Sequence, residues 1–542
     1  MKLNSESIID ENVAWWAKHG FALPAFEIEK VKETTHNTPK WVHFGCGNIF
    51  RAFPAAVLQE LLNQGAEDAG LIVAEGFDEE IIEKIYRPHD NLSLLVTLKA
   101  DGNIEKKVIG SVAESLLMNK KSAADAERLR EIFRSPSLQM ASFTITEKGY
   151  KLQDAEGNYF SVVQHDFAAG PKDAESYIGR ITALCYERFL AGKMPIALVS
   201  MDNFSHNGDR LRDAVWDFAE KWEKNGTAEQ GFLSWIQDPQ KVSFPWTMID
   251  KITPRPSLDI MHMLEEEGLE DMSVIVTQKQ TYIAPFVNAE ECEYLVVEDH
   301  FPAGRPCLEK GGIYFTDKNT VDKTEKMKVC TCLNPLHTAL AIFGCLLSYT
   351  KISDEMRDPL LKEMVYQLGY REGMPVVTDP GIIEPKKFLK EVLEERIPNP
   401  FMPDTPQRIA TDTSQKLPIR FGETIKAYLK NESMNVQDLT VIPLVLAGWL
   451  RYLMAVDDNG VPFELSPDPL HEDLKKYFTH MTLGKTDGCE QELAPILSNA
   501  RIFGIDLCEA GLAERIVGYF REMAGEKGAV RKTLEKYIIG NK

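Results

Sequence analysis

The run Trp41, Val42, His43, Phe44, Gly45, Cys46, Gly47, Asn48 constrains the fold more than any other in the chain. Four residues of strand character enter a glycine turn. A helical pattern follows through residues 52–58, and a second short apolar strand, residues 71–74, ends at Glu75. Strand, glycine turn, helix, strand, acid is the order of a right-handed βαβ nucleotide-binding unit. Gly45-x-Gly47 is a shortened dinucleotide fingerprint. Its glycines let the backbone approach a pyrophosphate, and the helix start supplies N–H groups and positive potential. The third glycine of GxGxxG is missing, and Ile49, Phe50 and Arg51 occupy that stretch. A plain turn explains a lone GxG equally well; its place directly after a strand is what favours binding. Gly45, Gly47, Asn48, Ile49, Phe50 and Arg51 are therefore candidate cofactor contacts. Glu75 sits where a carboxylate accepts from both ribose hydroxyls, which favours NAD over NADP because a 2′-phosphate would be repelled. Asp78 is the second candidate, and the competing reading makes both solvated loop charges.

Later apolar runs continue the alternation. Residues 138–146 read as a strand ending at Glu147, and residues 195–200 as another, ending at Met201, Asp202 and Asn203, with a long helix over 173–191 between them. This is the pattern of a mostly parallel sheet wrapped by helices. From about residue 319 helical periodicity takes over, at 334–349, 355–368, 386–395, 423–429, 440–456 and 510–535. At 542 residues the chain exceeds one ordinary core. The expectation is an α/β Rossmann-like domain over 1–318, opened by a helical preamble at 1–38 with a helix from Glu11 to Gly20, followed by a mainly α-helical domain over 319–542.

The formal net charge of -21 argues against a nucleic-acid binder, although a local basic pocket can still serve a small anion. No stretch reads as long and apolar enough for a membrane span, and the N-terminus lacks a secretory pattern, so a cytoplasmic protein is expected. The nine cysteines are scattered without a CxxC pair, and the histidines show no HExxH, so buried reduced thiols and no metal site are expected. A monomer or small homo-oligomer is the expectation for assembly.

The second informative segment is Lys328, five residues, then Asn334, Pro335, Leu336 and His337, at the head of a very apolar helix. Pro335 suits the first helical position and Asn334 the N-cap before it, three residues from His337. A lysine shielded from water there could move a proton near neutral pH. The plain alternative is that Asn334 only caps a core helix and His337 only completes its first turn.

Six segments in order resemble the polyol-specific long-chain dehydrogenases, the mannitol dehydrogenase family, over roughly residues 40–510. Phe44-Gly-Cys-Gly-Asn-Ile-Phe-Arg-Ala-Phe53 is similar to its GxGxFxRA segment, and Thr144-Ile-Thr-Glu-Lys-Gly-Tyr150 to its TxTEKGY. Ser200-Met-Asp-Asn-Phe-Ser-His-Asn-Gly208 resembles its SCDN and NG loop, Asp250-Lys-Ile-Thr-Pro254 its DRITP, Glu298-Asp-His-Phe-Pro-Ala-Gly-Arg-Pro306 its EDxFxxGRP, and residues 408–418 its RIAxDxSQKxP. The resemblance implies metal-free hydride transfer between NAD(H) and a secondary alcohol or ketone. It makes Lys328 the general acid/base, Asn203 and Asn334 donors to the reacting oxygen, His337 an orienter of a substrate hydroxyl, Glu325 a proton-relay carboxylate, and Asp250, Arg408 and Lys416 substrate contacts. Lys326 is the alternative base. The family has four residues between lysine and asparagine where this chain has five, and a bulge before the helix would absorb the extra one. The length and the CTCLNPLHTAL wording resemble the hexuronate reductases, which act on fructuronate/mannonate or tagaturonate/altronate. Lys251, Arg408, Lys416 and Arg420 are the cations available to a sugar-acid carboxylate. The alternatives are a mannitol or arabinitol 2-dehydrogenase and a nucleotide-binding protein without turnover.

Overall fold

The computed structural model describes residues 1–9, 12–119 and 122–540, so the expected preamble helix begins outside the described residues at Glu11. The chain divides into two compact units. One comprises residues 1–99 and 103–322, the other 100–102 and 323–542.

The centre of the first unit is a six-stranded sheet of β1 (Trp41–Phe44), β2 (Leu71–Glu75), β3 (Val112–Leu117), β4 (Met140–Phe143), β5 (Ile196–Ser200) and β6 (Val242–Ser243). Its spatial order is β3-β2-β1-β4-β5-β6 and every pair is parallel. This is the doubly wound arrangement in which the strand order reverses between β1 and β4. Val42 sits beside Ile72 on one side and Ala141 on the other. Side chains alternate between two cores. Trp41, Leu71, Val73, Met140 and Val199 pack on one face with the helix Pro54–Asn63. Val42, Phe44, Ile72, Ala141, Phe143 and Leu198 pack on the other with the helices Ala123–Arg134, Tyr177–Leu190 and Asn207–Lys224. Burial on both faces is why these strands read as unbroken apolar runs.

Besides a two-stranded ribbon of Ile275–Val276 and Tyr282–Ile283, two smaller sheets carry no simple sequence signature. One mixes parallel and antiparallel pairs among Phe21–Ala22, Ile104–Ile109, Ser93–Leu98 and Phe286–Glu290. The other joins Thr247–Asp250, Tyr294–Glu298 and Tyr314–Thr316.

The second unit is helical. The helices Asn334–Leu346 and Val441–Tyr452 are buried on nearly all sides, and Gly448 lets Phe343 approach, since a Cβ there would meet Phe343 Cζ at 2.7 Å. The helix expected over 510–535 is two, Ala513–Met523 and Ala529–Leu534, broken where Gly528 takes a φ of +78°. π-Helical turns recur at Met327–Cys332, Leu368–Gly373, Val392–Arg396, Pro418–Gly422 and Glu535–Ile539. Such turns are rare and concentrate at functional sites. The structure also corrects the reading that no segment is long enough for a membrane span. The helical run Lys318–Leu346 has that length and a mean hydropathy of 1.5, but 72% of its apolar stretch is buried inside the protein, as in a core helix.

Candidate active site

The glycine turn follows β1 at the point where the strand order reverses. Gly45 has a φ of +98°, and a Cβ there would lie 2.3 Å from the Thr144 carbonyl oxygen after β4, so no other residue fits. Gly47 is exposed, and a Cβ on it would meet nothing within 4 Å. Its neighbours begin the short helix Asn48–Ala52, whose first-turn amides have no intrahelical acceptor. Open space above a glycine with free amides beside it fits a pyrophosphate.

Two of the expected cofactor contacts belong to the core instead. Phe50 is fully buried and stacks on His43 with centroids 4.3 Å apart. Arg51 is 1% exposed and donates from Nη1 to the Ala284 carbonyl at 2.7 Å and from Nη2 to Asn48 Oδ1 at 3.0 Å. Its charge ties the turn to the segment between the strands Tyr282–Ile283 and Phe286–Glu290, distant in sequence, rather than facing solvent. Asn48 Nδ2 donates to the Pro254 carbonyl at 3.0 Å, and Ile49 packs against the core, so only their backbone groups remain for a ligand.

Glu75 is not a solvated loop charge. Its carboxylate accepts from the amides of Cys46 (3.1 Å), Gly76 (2.9 Å), Phe77 (2.7 Å) and Asp78 (3.2 Å), and from the Cys46 thiol. It splints the glycine turn to the loop after β2. Asp78 is 7% exposed and accepts from the hydroxyls of Thr277 and Thr281.

Just after β5, Asp202 joins two of the motifs. It accepts from the amides of Ile145 and Thr146, both at 2.9 Å, and from the Tyr150 hydroxyl at 2.6 Å. Asn207 Nδ2 in turn donates to the Asp202 carbonyl at 2.9 Å and the Thr247 carbonyl at 3.1 Å. Asn203 is exposed directly after this lock. Asp250 ends its strand at 5% exposure. Lys251 is not available to an anion, because its ammonium pairs with Glu293 at 2.6 Å and donates to the Glu290 carbonyl at 3.0 Å.

In the second unit Lys328 lies in the π turn Met327–Cys332 and is 4% exposed, whereas Lys326 is exposed. The Leu333 amide donates to the Lys328 carbonyl at 3.0 Å, the i to i−5 bond of a π turn, so the extra residue before Asn334 is absorbed there. Glu325 is half-buried on the preceding helix, Lys318–Lys326. Asn334 departs from the expected cap. It is the first helical residue, Leu333 occupies the N-cap, and no side chain caps the helix. The Asn334 carboxamide makes no hydrogen bond to a described residue; only its carbonyl accepts, from Thr338 Oγ1 at 3.0 Å.

His337 stands on the same first turn with its side chain 17% exposed and Nε2 3.4 Å from Asp404 Oδ2. Burial, then Arg420, Arg408, Arg396 and Lys416, push its pKa down to about 3. Asp404 does not reverse this, because Arg408 already claims it. The imidazole is therefore neutral, one nitrogen donating and the other accepting. Arg408 and Lys416 flank this site: burial lowers Arg408, and burial followed by Arg420 brings Lys416 down to about 8. Lys416 donates to the carbonyls of Ile409 and Thr411. Arg396, 3% exposed, and Asp404, 7% exposed, lie outside the motifs legible in the sequence.

Residues 39–310 match the family model described as the mannitol dehydrogenase Rossmann domain, and residues 320–524 that of the mannitol dehydrogenase C-terminal domain. Over 540 residues the chain is 54% identical to a D-mannonate oxidoreductase of Thermotoga maritima, covering 99% of each. A solved ternary complex of Pseudomonas fluorescens mannitol 2-dehydrogenase with NAD and D-mannitol is 27% identical, with a TM-score of 0.69 and 100% coverage of both chains. A substrate-free D-sorbitol dehydrogenase, 23% identical over 98% of this chain and 99% of its own, shares the fold with a TM-score of 0.79.

Proposed function

The chain belongs to the mannitol dehydrogenase family, a family of secondary-alcohol dehydrogenases, and from that premise we propose that it interconverts a hexuronate-derived keto acid and its aldonate, fructuronate with mannonate or tagaturonate with altronate, using NAD. The observation that carries the chemistry is the buried Lys328, held by a π turn directly ahead of the unengaged Asn334 carboxamide and the neutral His337. The substrate class is supported by the 54% identity to a D-mannonate oxidoreductase and by the cations around His337.

In ketone reduction the Lys328 ammonium gives its proton to the carbonyl oxygen, and in alcohol oxidation the free amine takes it back. Asn334 donates to the same oxygen as negative charge builds there; an amide with no other partner needs no reorganisation to do so. His337 fixes an adjacent hydroxyl, and Glu325, three residues before Lys328, exchanges the lysine's proton with solvent. Asn203 and Asp250 keep the roles that their motifs imply. NAD(H), when bound, supplies or accepts the hydride. Gly45, Gly47 and the backbone amides of Asn48 and Ile49 would hold its pyrophosphate, and Glu75 would disfavour a 2′-phosphate.

The test is Lys328→Ala. Turnover should fall by about 10²–10⁴-fold with NADH binding intact. Near-normal turnover would remove Lys328 from the reaction.

A further inference from the structure

Four cations bear on His337, and they are not equivalent. Arg408 pairs with Asp404. Lys416 is satisfied by two backbone carbonyls. Arg396 is buried at 3% exposure in its own π turn. Arg420 differs from all three. Among the described residues its guanidinium donates one hydrogen bond, from Nη1 to Thr338 Oγ1, and no carboxylate pairs with it. Burial alone lowers its pKa, to about 10.

The position of Arg420 matters as much as its solitude. It lies in the π turn Pro418–Gly422, which packs against the π turn that carries Lys328. Thr338, its hydrogen-bond partner, follows His337 directly and hydrogen-bonds back to the Asn334 carbonyl at 3.0 Å. The guanidinium is thus tethered to the helix turn that presents Asn334 and His337.

Arg420 is half-buried, and a guanidinium partly withdrawn from water without an anion is costly. A bound neutral polyol would leave the charge uncompensated. A ligand carboxylate would neutralise it and match its planar fork with two parallel hydrogen bonds. We propose that Arg420 is the anchor for the substrate's carboxylate, and that this chain takes acids whose carboxylate and reactive carbonyl are separated by hydroxylated carbons. Arg396 and Lys416 add to the attraction, and Arg408, held by Asp404, is left to the hydroxyls. This inference rests on the sugar-acid reading above and names the residue that would enforce it.

The experiment compares fructuronate and fructose as substrates with saturating NADH, in the wild type, Arg420→Gln and Arg420→Lys. The expected result is a rise in KM for fructuronate of about 10–100-fold in Arg420→Gln, a smaller rise in Arg420→Lys, and a KM for fructose that does not rise in either. Where the wild type does not reduce fructose, an unchanged Kd for NADH shows that the variants are intact and the fructuronate KM carries the test. The readout a merely structural role would not move is this difference between the two substrates. A rise shared equally by both, or no rise for fructuronate, overturns the anchor while leaving the sugar-acid reading in place. A wild type that reduces fructose and ignores both fructuronate and tagaturonate overturns that reading and the anchor with it. Should Arg420→Gln not fold, as judged by its melting transition, Arg420→Lys carries the test: it keeps the charge and loses the fork.

Discussion

At the residue scale, the site depends on which polar groups already have partners. Phe50, Arg51 and Lys251 sit in or beside family motifs, yet the core, a backbone carbonyl and Glu293 respectively have claimed them. Asn334 and Arg420 have polar atoms left to offer. Lys416 supplies a pH prediction. Its pKa near 8 means that it loses its charge as pH rises through that value, so an anion binds it better below pH 8 than above. The KM for a keto acid should therefore rise by up to roughly 10-fold between pH 7 and 9.5, while the KM for fructose stays nearly flat. A flat profile for the acid would exclude Lys416 from carboxylate binding. His337, neutral down to about pH 3, contributes no step to that profile.

At the element scale, the parallel sheet depends on a clamp that no motif advertises. Arg188, fully buried near the end of the helix Tyr177–Leu190, spends every guanidinium nitrogen on backbone carbonyls. Nη1 donates to Phe133 and Ser135, both at 2.8 Å, Nη2 to Leu138 and Pro195, both at 2.8 Å, and Nε to Met194 at 3.1 Å. It thereby fastens the segments that lead into β4 and β5. Arg188→Met preserves much of the volume and abandons all of these acceptors. It should lower the free energy of unfolding by on the order of 3 kcal/mol in urea titration, with the NADH affinity of the folded fraction unchanged. The π turns teach the related lesson for helices. The spacing between Lys328 and Asn334 announced one residue too many, but how it is accommodated follows from the Leu333 to Lys328 bond.

At the scale of the whole molecule, acid should unfold this protein earlier than its carboxylates alone would require. His43 is buried in the sheet, with Nδ1 2.6 Å from Ser142 Oγ and Nε2 2.9 Å from Thr144 Oγ1, and burial pushes its pKa down to about 3. Its folded pKa lies below its unfolded value near 6.5, so the stability tied to the neutral ring is present above pH 6.5 and lost as pH falls towards 3. For His43 the loss should be on the order of 3 kcal/mol between pH 7 and 4, read from urea midpoints, and His43→Asn should flatten that slope. What the sequence by itself determined was local or periodic: the βαβ order around Gly45 and Glu75, the two-sided strands, the helical second half and the motif run that marks the family. Those features need only short-range propensity and pattern. Tertiary structure decided which motif residues face a ligand and which face the core. It also brought Arg420 to the helix turn of His337 and let Glu75 close on the glycine turn. Burial and partnership are properties of pairs far apart in the chain, such as Arg51 with Ala284 or Arg420 with Thr338, and the residues themselves do not encode that pairing one at a time.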